Sequence, residues 1–126
     1  MQTVLIDTDV AIDFLRGEPY ARDFLLPLWD VSQAYLSVLT IYELYAGMKE
    51  KERDSTKDFI DACLIEPVSQ EIAVKAGEWR ALYREKGITL TAIDCLIAST
   101  ALLQGHKIAT RNVRHYPDKR LLLSLP

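Results

Sequence analysis

Short apolar runs, several rich in β-branched residues, alternate along this chain with longer segments of helical character. The runs are TVLI at residues 3–6, AYLSV at 34–38, LIEPVS at 64–69, KIAT at 107–110 and LLLSL at 121–125. The helical segments are 8–17, 19–30, 39–48, 49–63, 70–87 and 91–104. Strands that alternate with helices favour a parallel sheet covered by helices on both faces. We therefore predict an α/β fold with a mostly parallel central sheet.

The chain is predicted to form a single domain, residues 1–126. Its 126 residues are 49% hydrophobic and contain no internal repeat or Gly/Ser linker, which suits one core. No apolar run is long enough to span a membrane, and the N-terminus lacks the basic region of a signal peptide. Cys63 and Cys95 have no metal or redox spacing, so we expect buried thiols in a reducing cytoplasm. The net charge of -3 argues weakly against a nucleic-acid binder but leaves room for a local basic face.

Asp94 is the only charged residue in the apolar segment 91–104. An ionised carboxylate in apolar surroundings costs several kcal/mol unless a partner compensates it. Two other acids stand where elements are predicted to begin or end. Asp7 follows the first strand, and Glu43 lies near the start of the third helical segment.

Each of these acids also has a purely structural explanation. Thr40 precedes Glu43 by three residues, and Thr91 precedes Asp94 by three, so both pairs match the capping-box spacing. Asp7 can serve as a turn former or as the cap of the next helix. Ligands of parallel sheets bind beyond the carboxyl ends of the strands, and three acids that converge there would repel one another. A divalent cation such as Mg²⁺ or Mn²⁺ would remove that repulsion, since both prefer oxygen ligands.

Four sequence blocks resemble, in order, the signature blocks of the PIN-domain ribonucleases, and the VapC toxins of toxin–antitoxin pairs are the most similar subgroup. The blocks are VLIDTDVAIDFLRG, LTIYELYAG, TAIDCLIASTALLQG and IATRNVRHYPD. The resemblance implies a three-layer α/β/α sandwich and a Mg²⁺- or Mn²⁺-dependent endoribonuclease. It also implies a homodimer and a cognate antitoxin protein as partner.

The resemblance assigns the metal-binding and catalytic acids to Asp7, Glu43 and Asp94, with Asp9 in support of the first. The fourth block departs from the family pattern, because positions that hold an acid in many relatives are Asn112 and His115 here. Asp118 is the only carboxylate nearby and is out of register. We assign a supporting role to Asn112, which can supply a neutral ligand, and to Thr110, which can hydrogen-bond an acid or a phosphate.

The segment from His106 to Arg120 is locally basic. It carries five cationic side chains and a single aspartate in a chain of net charge -3. Such a patch binds backbone phosphates without sequence selectivity, although a solvated basic loop has the same composition. We predict RNA contacts for Arg111, Arg114 and His115. Tyr42 and Tyr45 flank Glu43 and either stack on bases or pack in the core or a dimer.

Three other functions share parts of this pattern. A haloacid-dehalogenase-type phosphatase has a D-x-D motif after its first strand, as in DTDV, but needs a later acidic pair where AIDCL supplies one acid. A receiver-like signalling domain needs an aspartate at the end of a middle strand, and AYLSV ends without one. A catalytically degenerate PIN module that binds RNA or a protein partner remains open, because the fourth acid is missing.

Overall fold

A five-stranded parallel sheet forms the centre of the protein. The computed structural model describes all 126 residues. The strands are β1 (Thr3–Ile6), β2 (Ala34–Ser37), β3 (Leu64–Glu66), β4 (His106–Ala109) and β5 (Leu122–Leu123), in the spatial order β3-β2-β1-β4-β5. Every neighbouring pair is parallel, and Leu5 of β1 lies opposite both Tyr35 and Ile108. The predicted α/β class is confirmed, and the sheet contains no antiparallel pair.

Six helices cover the two faces of this sheet. They are α1 (Thr8–Leu15), α2 (Pro19–Asp30), α3 (Val38–Gly47), α4 (Arg53–Ala62), α5 (Gln70–Glu85) and α6 (Ala92–Gln104). Val4 and Ile6 pack on one face with residues of α1–α4, whereas Leu5 packs on the other face against α6. Successive strand residues point to opposite faces, so both faces of the central strand are buried. This arrangement is the predicted three-layer sandwich.

The helix starts agree with the sequence at Thr91, which is a cap, and differ at Thr40, which is not. Thr91 caps α6, and its hydroxyl accepts the Asp94 N–H at 3.0 Å. The Thr40 prediction is wrong, because β2 passes directly into α3 and Ser37 is the cap, accepting the Leu39 N–H at 3.1 Å. Thr40 lies inside the helix, fully buried. Glu43 is therefore not part of a capping box.

Both cysteines are buried free thiols, as the sequence predicted. Burial raises the pKa of the Cys63 thiol and of the Cys95 thiol, so each favours its neutral form. No helix of the chain combines the length and the apolar character that a membrane crossing requires.

Candidate active site

Asp7 lies at the carboxyl end of the central strand and caps α1. Its Oδ1 accepts the Thr8 N–H at 2.8 Å. Its Oδ2 accepts two hydroxyl groups, from Thr110 at 2.8 Å and from Tyr116 at 2.5 Å. The residue is buried, with 7% of its surface exposed. Three donors from the next helix and from the segment after β4 thus fix the orientation of this carboxylate.

Glu43 is joined to Asp7 through Thr8. The Thr8 hydroxyl donates to Glu43 Oε1 at 2.6 Å and lies 3.3 Å from the Thr40 hydroxyl oxygen. Thr8 is also the residue whose N–H binds Asp7. Thr8 therefore links Asp7 to Glu43 at the same edge of the sheet.

Asp94 sits in the first turn of α6 and is half-buried. Burial raises the pKa of the Asp94 carboxyl above its usual range, and the negative charge of Asp7 raises it further. The Thr91 hydroxyl and His115 oppose this rise, and His115 Nδ1 lies 3.6 Å from Asp94 Oδ2. His115 directly precedes Tyr116, whose hydroxyl binds Asp7, so the third acid lies close to the segment that contacts the first. We call the group formed by Asp7, Glu43 and Asp94 the acidic edge.

Asp9 adds a fourth acid beside Asp7. Its Oδ2 accepts the Arg111 N–H and its Oδ1 accepts the Val10 N–H, both at 2.8 Å. The Thr110 hydroxyl, which binds Asp7, is 3.4 Å from Asp9 Oδ1. Burial, followed by the charge of Asp7, raises the pKa of Asp9. Asp9 consequently tethers the segment after β4 to α1.

The chemistry of these groups suits a hard divalent cation, although the side chains do not form a finished metal cage. Carboxylate oxygens are the ligands that Mg²⁺ and Mn²⁺ prefer, and the charge of Asp7 raises the pKa of Asp9 and the pKa of Asp94. No group of three His, Cys, Asp or Glu side chains is arranged so that it could hold a metal ion. Binding would require the side chains of Glu43 and Asp94 to adjust toward the fixed Asp7. The metal-ligand assignment stays a prediction.

Arg111 is engaged within the protein. Its Nε and Nη2 donate to the two carboxylate oxygens of Asp13 at 2.6 and 3.2 Å. The Tyr20 hydroxyl donates to the same carboxylate. Burial tends to raise the pKa of Asp13, but the hydrogen bonds from Arg111 and Tyr20 outweigh it and lower the pKa. Arg111 thus fastens the segment after β4 to α1, and any contact with RNA has to compete with Asp13.

The remaining side chains of the basic segment differ in how free they are. Arg114 is exposed and has no hydrogen bond or ion pair within the chain, and the exposed Asn112 side chain likewise makes no hydrogen bond. His115 faces Asp94. Asp118 pairs with Arg120 at 2.9 Å and stays outside the acidic edge, consistent with its being out of register. The other two cations, Lys107 and Lys119, donate to backbone carbonyls.

The surface beside Glu43 is open. Tyr42 and Tyr45 are 66% and 38% exposed, which excludes packing in the core of this chain. Arg16 lines a cleft of about 100 Å³ together with Glu43 and Leu44. Both tyrosine rings are therefore accessible to a base or to a second protein chain.

Sequence reasoning missed three residues of this region. Thr8 joins Asp7 to Glu43, Tyr116 binds Asp7, and Asp13 holds Arg111. Thr8 stands between the two acids of DTD, and Tyr116 ends the run RNVRHY, so both were within recognised blocks. Their hydroxyl groups gain a function only through partners that the fold supplies.

The chain belongs to the PIN-domain family, whose model matches residues 4–117. It is 37% identical over 114 residues to Ribonuclease VapC19 of Mycobacterium tuberculosis, covering 90% of this chain and 91% of the relative. Ribonuclease VapC10 of the same organism is 35% identical, with 90% and 86% covered. Among solved structures, a toxin–antitoxin complex from Klebsiella pneumoniae superposes with a TM-score of 0.80 at 26% identity, and the match covers 97% of both chains.

Proposed function

We propose that this protein is a Mg²⁺- or Mn²⁺-dependent endoribonuclease and the toxin of a toxin–antitoxin pair. The observation that carries the proposal is the acidic edge. Thr8 bridges Asp7 and Glu43, and Asp94 lies beside His115, which directly precedes the Tyr116 that binds Asp7. Family membership and the similarity to ribonucleases named VapC support the reaction class.

Asp7, Glu43 and Asp94 would hold the cation, with Asp9, Thr110 and Asn112 in support. A divalent cation, when bound, activates water and neutralises charge on a scissile phosphate. The chain itself orients Asp7 through Thr8, Thr110 and Tyr116. Glu43 is our candidate for orienting the attacking water, because its side chain is one methylene longer than those of Asp7 and Asp94.

Arg114 and His115 are the groups best placed to contact the phosphate backbone. Arg114 is exposed and unpaired, and the His115 side chain is 58% exposed beside Asp94. Contacts of this kind position RNA and do not read its sequence. Arg111 would join them only by leaving Asp13.

The partners we propose are RNA as substrate, a cognate antitoxin and a second copy of the chain in a homodimer. The similarity to a chain of a toxin–antitoxin complex supports the antitoxin. The exposed Tyr42 and Tyr45 are compatible with a dimer surface next to Glu43.

The proposal is tested by incubating the purified protein with structured and single-stranded RNA in EDTA, Mg²⁺ or Mn²⁺. We expect internal cleavage only with metal, and loss of cleavage in Asp7→Asn. Asp118→Asn is the matched control, since it removes an acid of the same chain outside the acidic edge. Cleavage that persists in EDTA would contradict metal dependence. RNA binding without cleavage under all conditions would favour the degenerate PIN module.

A further inference from the structure

Tyr116 is a buried phenol whose hydroxyl points at the acidic edge. It follows the 3-10 turn Val113–His115, and only 2% of its surface is exposed. Its ring belongs to the core beneath α6, with Leu5, Ile97 and Ile108. A phenylalanine would fill that core equally well. The hydroxyl therefore calls for a separate explanation, because burying a polar group is costly unless it is paired.

The partner of this hydroxyl is Asp7 Oδ2, at 2.5 Å. A phenol has an ordinary pKa of about 10, so it is protonated at neutral pH. The phenol accordingly keeps its proton and remains a donor. A charge-assisted O–H···O⁻ bond of this length is in the strong class.

Asp7 accepts three hydrogen bonds in all, from Thr8, Thr110 and Tyr116. An ionised carboxylate offers about four lone-pair positions. With three of them taken, roughly one acceptor position remains for a further partner. Both the rotamer of Asp7 and the oxygen position available to a cation are thereby set by the surrounding donors.

We propose that Tyr116 is a positioning residue of the metal site, whose hydroxyl holds the Asp7 carboxylate in the orientation that binds the cation. This inference rests on the proposed function. Groups that orient a metal ligand typically change metal affinity or activity by about 10- to 100-fold when they are removed. Tyr116 would act in this way through Asp7, without touching the RNA.

The test compares Tyr116→Phe with Tyr83→Phe. The Tyr83 hydroxyl donates to the carbonyl of Pro117, the residue after Tyr116, at 2.7 Å. The control therefore removes a phenol hydrogen bond to the same segment without affecting a bond to an acid. Mn²⁺ affinity is measured by calorimetry on the RNA-free protein. We expect the Kd of Tyr116→Phe to rise about ten-fold or more. We expect that of Tyr83→Phe to stay within about two-fold of the parent, since no hydrogen bond to an acid is lost.

Kinetics at saturating Mn²⁺ supply a second readout. We expect Tyr116→Phe to lower kcat with little change in KM for RNA, because the substrate contacts are intact. Equal Mn²⁺ affinities in the parent and Tyr116→Phe, or equal losses in both variants, would overturn the positioning role alone. A Tyr116→Phe chain that does not fold, while Tyr83→Phe does, would assign the hydroxyl to folding and overturn it as well. A parent protein that binds no Mn²⁺ would overturn the proposed function and this inference together.

Discussion

Asp7 and Asp94 are two acids of one proposed site in unlike surroundings. Three donors bind Asp7, two of them hydroxyl groups on a single oxygen. Asp94 has only a histidine nitrogen beside it, His115 Nδ1 at 3.6 Å, and burial together with the charge of Asp7 raises the Asp94 pKa. The chain stabilises the first carboxylate by itself, whereas the second carries a charge that the chain does not neutralise. A bound cation should therefore stabilise the negative charge of Asp94 more than that of Asp7.

The largest effect we expect is on cleavage, in which the two acids behave alike. Asp7→Asn and Asp94→Asn should each lower kcat about a thousand-fold, since each removes a proposed anionic ligand from chemistry that depends on several kcal/mol of charge stabilisation. Single-turnover cleavage of RNA at saturating Mn²⁺ measures this loss. Cleavage by Asp94→Asn at the parental rate would remove that residue from the site.

The same two variants should differ in stability. In Asp7→Asn one carboxylate oxygen becomes an NH₂ group, so either Thr8 or the two hydroxyl groups lose their acceptor. We expect a loss of about 1–3 kcal/mol. Asp94→Asn keeps the Thr91 cap and removes an uncompensated charge, so the metal-free protein should be as stable as the parent or more stable. Urea unfolding in EDTA compares them. A loss in Asp94→Asn as large as that in Asp7→Asn would mean that the carboxylate has a structural role.

Arg111 and Arg114 extend the comparison to the basic segment. Arg111 is paired with Asp13, whereas Arg114 has no ion pair within the chain. Arg111→Ala leaves the buried Asp13 without its bidentate partner, so we expect about 1–3 kcal/mol of destabilisation. Arg111→Lys should restore only part of this, because an ammonium cannot reproduce the fork geometry. Arg114→Ala should leave stability within about 0.5 kcal/mol of the parent.

For RNA binding we expect the opposite ranking: Arg114→Ala should have a larger effect than Arg111→Ala. In an Asp7→Asn background, Arg114→Ala should lower the slope of log affinity against log salt by about 0.7, the value for one contact to single-stranded nucleic acid. Lys75→Ala is the matched control, because Lys75 lies beside Leu103 at the opposite end of α6 from Asp94. An unchanged slope in Arg114→Ala would show that the arginine is merely solvated.

The elements of the fold were predictable because they follow from local pattern. Short apolar runs and helical periodicity indicated the segments that form the five strands and six helices, and a mostly parallel sheet followed from their alternation. The start of α3 was misplaced because Thr40 has the right residue type, while Ser37 gains the cap from the direct passage of β2 into the helix.

The site was only partly predictable. The acids were visible as charges in apolar or terminal positions, as with Asp94 in its apolar helix. The bonds that orient them were not, because Tyr116 is 109 residues from Asp7 and Arg111 is 98 residues from Asp13. Such pairs depend on tertiary distance and rotamer, which no local pattern encodes. The same limit explains why Arg111 was predicted to contact RNA, whereas in the structure it binds Asp13.

The smallest effect we expect is a difference in pH dependence between Asp94 and Asp13, whose pKa values are shifted in opposite directions. Where the folded pKa is raised, the folded state binds more protons than the unfolded state between the ordinary and the raised value. Asp94 therefore lowers stability as pH rises through that window. Where the folded pKa is lowered, as for Asp13, stability is present above the ordinary value near 3.8 and is lost as pH falls toward the folded pKa.

Asp94→Asn should consequently gain stability relative to the parent at neutral pH, with a gain that fades on acidification. Asp13→Asn should lose stability at neutral pH, with a loss that fades over a lower pH range. Asp9, whose pKa is also raised, is present in the parent and both variants, so its contribution cancels in the differences. Urea unfolding of the metal-free proteins between about pH 3 and about pH 7 measures both curves. If both variants lost stability at neutral pH, Asp94 would be compensated within the chain as Asp13 is. The contrast between an internally paired acid and an acid proposed to bind a cation would then be lost.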